Sequence, residues 1–101
     1  MYDVDYFIKK FAAIPDEDWT TRKFVNDLGQ CCALGHCGSR TMPKGLYSVH
    51  SRESTSLRDI LLNEVVEIND GRHGQYQQET PKARILAALR DIEGKSDAGN
   101  E

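Results

Sequence analysis

The apolar positions of this chain fall into stretches with different spacings, and each spacing predicts a different element. Val4, Phe7, Ile8, Phe11 and Ile14 lie three and four residues apart, which lays one apolar stripe along a helix with Lys9 and Lys10 facing away. A helix over residues 3–14 follows, with Asp3 capping its first amides. Pro15 ends it, because the residue before a proline avoids helical angles. The acids of PDEDW suit the positive end of a short helical turn, and Trp19 is expected to close over the first helix as a core anchor.

Thr20 to Val25 leans towards a strand, with two threonines and a Phe-Val pair, and the turn signal NDLG follows it. This predicts a short hairpin whose second arm begins at Gln30 or Cys31. CCALGHCG then reads as the first turns of a short helix, weakened by Gly35 and Gly38. From Ser39 to Ser54 the period fails, so a loop is expected, with a brief strand over Leu46–Val49. A loop of that length in a small domain points to function or mobility.

Thr55 or Ser56 is expected to cap a second long helix with Leu57, Ile60, Leu61 and Val65 on one face, and Asp59 completes a capping-box-like pattern with Ser56. The run VVEI fits either a prolonged helix or a strand, and Asn69-Asp70-Gly71 ends it as a turn. After a polar loop over 71–79, Thr80 caps the last helix, Pro81 takes its first position, Ile85, Leu86, Leu89 and Ile92 form its stripe, and Gly94 ends it. The predicted fold is α+β and mostly helical, with about four helices and a short β-hairpin around one core. That core draws on Val4, Phe7, Ile8, Phe11, Trp19, Phe24, Leu57, Ile60, Leu61, Val65, Ile85, Leu86 and Leu89. Residues 1–94 form a single globular domain, and 95–101 a flexible tail.

No apolar run approaches the roughly 18 residues of a membrane helix. The acidic opening MYDVDYFIKK is unlike the basic start of a secretory leader. Three cysteines, two of them adjacent, make an odd set that bridges poorly, which fits reduced thiols and a cytoplasmic location. The net charge of −3 is unevenly laid out. Between Asp27 and Glu53 there is no acid, while Arg40, Lys44 and Arg52 occur with His36 and His50. This stretch reads as a solvated basic loop or as an anion-binding surface. The acidity of the whole chain and the lack of interleaved aromatic and basic residues weigh against nucleic acid as its ligand.

The chemistry-bearing residues crowd into Asp27–Gly38, DLGQCCALGHCG. Cys32, His36 and Cys37 are zinc-ligand types, and Cys31, His50 or His73 could add a fourth. Structural zinc, however, uses two short-spaced ligand pairs, and here one cluster stands alone. A thiol nucleophile is the second option: Cys31 or Cys32 at a helix start would be acidified by the dipole, with His50 or His73 as base and Asn69 or Asp70 as orienter. No hydrolase signature surrounds either thiol, and cysteine is common in inert cores. A third reading is a close-packed joint, its side chains chosen for small volume. There is no phosphate-cradling glycine motif, so no cofactor is expected.

Three fragments carry a family resemblance: Trp19 leading into DLGQCCALGHCG, then EINDG at 67–71, then TPKARILAAL at 80–89. Together they resemble a pattern in small bacterial and phage-encoded proteins that form a domain family of unknown function. Its members show a tryptophan, a glycine before a CALGA-like segment, a later (W)ND, and a final helix opened by threonine. Cys32, Ala33, Leu34 and Gly35 match CALG, and Asn69 and Asp70 match the ND pair. The chain departs from the pattern at His36-Cys37-Gly38, where small or apolar residues are usual, and at Ile68, which replaces the tryptophan. The resemblance implies a phage or mobile-element setting and no activity. It also implies that the CALG segment pairs in space with the ND turn, so that the Asn69 or Asp70 side chain satisfies open amides at the start of the CALG helix.

The expected function is therefore a non-enzymatic accessory or interaction protein. It would bind a macromolecule, a protein in the first instance and nucleic acid in the second, through Arg40, Lys44, His50 and Arg52. The alternatives are a small cysteine enzyme using Cys32 with His50 or His73, and a zinc-stabilised binding module.

Overall fold

A computed structural model describes residues 2–37 and 52–99, the side chains as far as residue 94. Helix α1, Val4–Ala12, forms as its stripe requires. The Asp3 carboxylate accepts the Tyr6 amide at 2.9 Å, and Phe7 and Phe11 are fully buried. Their rings stack 5.8 Å apart, and Trp19 meets Phe11 edge-on at 5.3 Å. A single 3-10 turn over Asp16–Asp18 carries the chain round to that tryptophan.

The hairpin is not present, and the α+β expectation is corrected: among the described residues the protein is helical, without strand or sheet. Cys31 makes two isolated bridges, parallel to Trp19 and antiparallel to Val25, and no ladder extends from either. The reason lies at Arg22, whose φ of +67° turns the chain out of the extended path that TTRKFV favours. The NDLG turn is real but closes on itself, with Asn26 Oδ1 accepting the amides of Leu28 and Gln30, each at 3.0 Å. Phe24, expected in the core, is 44% exposed.

Helix α2, Ala33–His36, follows at once, and helix α3 spans Arg52–Ile60. Helix α3 therefore starts upstream of the expected Thr55 or Ser56 cap, and Ser56 lies inside it. It does not run on into VVEI. Leu62 and Asn63 both take left-handed backbone, φ +54° and +63°, and the Asn63 amide reaches back to the Arg58 carbonyl at 2.7 Å. The chain then turns into helix α4, Val65–Asn69.

Helix α5 spans Pro81–Gly99, with the Thr80 hydroxyl accepting the Ala83 amide at 3.1 Å. It passes through Gly94, which keeps ordinary helical backbone and does not end the helix. Helix α5 packs against α1 and α4, and α2 against both α4 and α5. Their apolar faces meet in one core built on Phe7, Phe11, Leu57, Ile68, Ile85 and Leu89. The Tyr6 hydroxyl and Lys10 ammonium both bind the Glu53 carboxylate, tying α3 to α1. No helix among the described residues is long and apolar enough to cross a membrane.

Candidate functional site

A four-residue helix has almost no internal partners for its first amides, so α2 depends on groups from elsewhere. Cys32 supplies the local cap, its Sγ accepting the Gly35 amide at 3.4 Å. The Ala33 amide goes to Asn69 Oδ1 at 3.0 Å, across thirty-six residues of sequence. Of the two side chains expected to cover these amides, Asn69 does so. The same amide group donates to the Thr20 carbonyl at 3.0 Å and to Asp70 Oδ1 at 3.1 Å. Asn69 is 1% exposed and thus fixes three chain segments from inside the protein.

Asp70 has a separate task. Its Oδ1 accepts the Arg22 amide at 2.9 Å, which holds Arg22 in its left-handed conformation. From α5, the buried Arg84 guanidinium donates to the carbonyls of Ile68, Asn69 and Gln78 at 2.7–3.3 Å, putting a cation on the carbonyl end of α4. Burial lowers the Arg84 pKa from its ordinary value, and the Asp70 charge opposes that shift. Gly71, at φ +77°, completes the turn, and a Cβ there would stand 3.3 Å from the Arg84 guanidinium carbon.

The small-residue segment packs as a joint. A Cβ on Gly35 would lie 1.9 Å from the Phe24 carbonyl oxygen and 3.0 Å from the Cys31 Cβ. That same carbonyl accepts the Cys32 amide at 3.2 Å, so α2 sits directly on the backbone of residue 24. All three cysteines are buried free thiols. Their structural roles differ: Cys31 lies in the bridges with Trp19 and Val25, Cys32 caps α2, and Cys37 ends it. Burial pushes the Cys32 thiol up despite backbone hydrogen bonds from Gly35 and Leu34 that favour the thiolate. Burial pushes Cys37 up to about 12, with Lys10 opposing. Both shifts run opposite to what a nucleophile needs.

The other expected site residues are dispersed. His36 packs its ring against Trp19 at 4.7 Å. His73 pairs with Glu64 at 2.6 Å, accepts the Gln75 amide on Nδ1 at 3.2 Å, and lies against the Tyr76 ring. Its contacts are thus with the 64–76 turn and not with Cys32, while Asp70 orients backbone amides and not an imidazole. Among the described residues no group of three histidine, cysteine or acidic side chains is placed to hold a metal. Arg52 is exposed at the start of α3, whereas Arg40, Lys44 and His50 lie outside the described residues, as does the Leu46–Val49 strand.

The structure adds a feature that the sequence reading did not identify. A cleft of about 460 Å³ lies between the 22–24 loop, the start of α2 and α4, within the usual size range of ligand sites, about 300–1,000 Å³. Phe24, Leu34, Val65 and Val66 give it an apolar lining, and among the described residues Arg22, Lys23 and Arg72 supply its cations. Asp70 is its one carboxylate among the described residues, with Arg72 Nη2 3.6 Å away. A local signal existed in the Arg-Lys-Phe triplet, but the threonines before it and the Phe-Val pair read as a strand. Comparison with protein-family models, with curated proteins and with solved structures yields no match.

Proposed function

We propose that this chain is a non-catalytic binding protein of the cytoplasm, part of a phage or mobile-element system, and that it contacts a protein partner through the cleft between the 22–24 loop and α4. The observation that carries this reading is the cleft itself: two exposed apolar side chains, Phe24 and Val66, border it together with three cations. Apolar side chains left in water beside charges of one sign are the ordinary make-up of a contact surface. The walls are held by a buried hydrogen bond to Asn69 and by the Arg22 amide bond to Asp70, so little ordering remains to be done when a partner arrives.

The buried Cys32 and Cys37 thiols, with pKa values shifted upwards, speak against the cysteine-enzyme reading. The basic stretch from Arg40 to Arg52 is a second candidate contact region, with nucleic acid as its second ligand class.

Photo-crosslinking from the cleft tests the proposal. A photoreactive residue at Phe24 or Val66, in cells that carry the protein naturally, is expected to trap a species that protease degrades and nuclease does not. The same probe at Leu28, which is 83% exposed and outside the cleft, is expected to trap none of it. Equal trapping from Leu28, or nuclease sensitivity of the adduct, contradicts the reading.

A further inference from the structure

The cleft reverses the charge balance of the chain that forms it. The whole protein carries 13 basic and 16 acidic side chains. Among the described residues the cleft lining carries Arg22, Lys23 and Arg72 against Asp70. That carboxylate is already engaged, since Oδ1 accepts the Arg22 amide at 2.9 Å and the Asn69 amide group at 3.1 Å. Arg72 stands 3.6 Å from Oδ2, with 64% of its own side chain exposed. Among the described residues neither Arg22 nor Lys23 has a carboxylate within ion-pair distance. The local potential therefore favours an anionic visitor to a protein that is acidic overall.

The apolar wall narrows the chemistry further. Phe24 is 44% exposed and Val66 38%, next to the buried Leu34 and Val65. A phosphate or a nucleic-acid strand would satisfy the cations and leave these surfaces wet. Among the described residues Phe24 is the one aromatic ring in the lining, where a strand would need a series of stacking platforms. An apolar peptide without acids would leave the cations unanswered and partly desolvated.

We infer that the cleft takes an acidic, apolar segment of a partner protein, with carboxylates against Arg22, Lys23 and Arg72 and one bulky apolar side chain between Phe24 and Val66. This rests on the reading of the cleft as the contact surface. The apolar lining selects through shape and burial, and the cations select through sign.

The test uses the purified full chain and a short fluorescein-labelled peptide alternating aspartate with leucine, followed by fluorescence anisotropy. Saturable binding is expected, weakening severalfold when salt rises from low to physiological strength. Lys23→Glu, Arg72→Glu and Val66→Asp are each expected to weaken it about tenfold or more, because each sets a like charge or an unpaired acid against the ligand. Leu28→Asp, outside the cleft, is expected to leave it unchanged. All four positions are exposed, and equal melting temperatures check that the fold is retained.

Failure of the peptide to bind overturns the inference. So does equal binding of a peptide with lysine for aspartate or serine for leucine, tighter binding of a single-stranded oligonucleotide, or a cleft filled by a second copy in sedimentation. If the peptide fails while crosslinks from Phe24 and Val66 persist, the cleft remains the contact surface and only the occupant's chemistry is wrong. Loss of the crosslinks removes the underlying reading.

Discussion

An alanine at position 35 tests the joint between α2 and the 22–24 loop. Its methyl carbon would arrive 1.9 Å from the Phe24 carbonyl oxygen, where ordinary contact begins at 3.4 Å, so one of the two backbones must move by about 1.5 Å. The obstacle is backbone, which cannot rotate away as a side chain can. Overpacking of this kind destabilises by about 1–3 kcal/mol. The displacement also breaks the Cys32 amide bond to that carbonyl, now 3.2 Å, adding about 1 kcal/mol. A loss of roughly 2–4 kcal/mol is large against a typical total of about 5–15, and in a domain of this size it lowers the melting temperature by on the order of 10–20 °C. Gly94→Ala provides the control, since a Cβ there meets nothing within 4 Å, and a helical glycine replaced by alanine gains up to about 1 kcal/mol. Thermal unfolding followed by circular dichroism measures both. If Gly35→Ala melts within about 2 °C of the parent, the close-packed joint is wrong.

Asn69→Ala leaves the Ala33 amide and the Thr20 carbonyl without their partner; a loss of about 2–4 kcal/mol is expected in urea unfolding. Asn69→Asp keeps the acceptor but not the donor, so it is expected to recover only part of that loss. Arg84→Met fills similar space but abandons the carbonyls of Ile68, Asn69 and Gln78; a loss of about 3 kcal/mol or more is expected, with α4 exchanging its amides faster. In alkali, the folded protein keeps protons that the unfolded chain sheds: Cys37 is raised from 9.0 to about 12, and Tyr6 and Tyr76 from 10.0 to about 12. Because the unfolded state then binds fewer protons, stability falls as pH rises from about 9 to 12, and Cys37→Ala is expected to flatten the slope by about one proton in pH-dependent unfolding.

What could be read from the sequence followed the range of the interactions involved. The stripe of α1, with Asp3 ahead of it and Pro15 behind, specifies that helix locally, and the same holds for the start of α5 at Thr80-Pro81. The tight packing around Gly35 was legible as small volume. The failed hairpin was not, because TTRKFV has the β-preference of a strand, and only a carboxylate from residue 70 shows that the Arg22 amide is used elsewhere. The α3–α4 break was hidden for a similar reason: Asn63 tolerates left-handed backbone, but Leu62 gives no sign of it. The upstream part of α3, RESTS, has no apolar period to announce it. The cleft draws on residues 22–24, 32–34 and 65–72, which no local window contains together.

Cys31, Cys32 and Cys37 serve as core atoms and not as reactive groups, and thiol labelling measures this most directly. Native protein is treated with iodoacetamide near neutral pH, and each cysteine is followed by peptide mass, with and without denaturant. The account predicts slow modification of all three in the native state, at rates set by opening of the fold, and rapid modification in denaturant. One thiol that labels in the native protein as fast as in denaturant would contradict it.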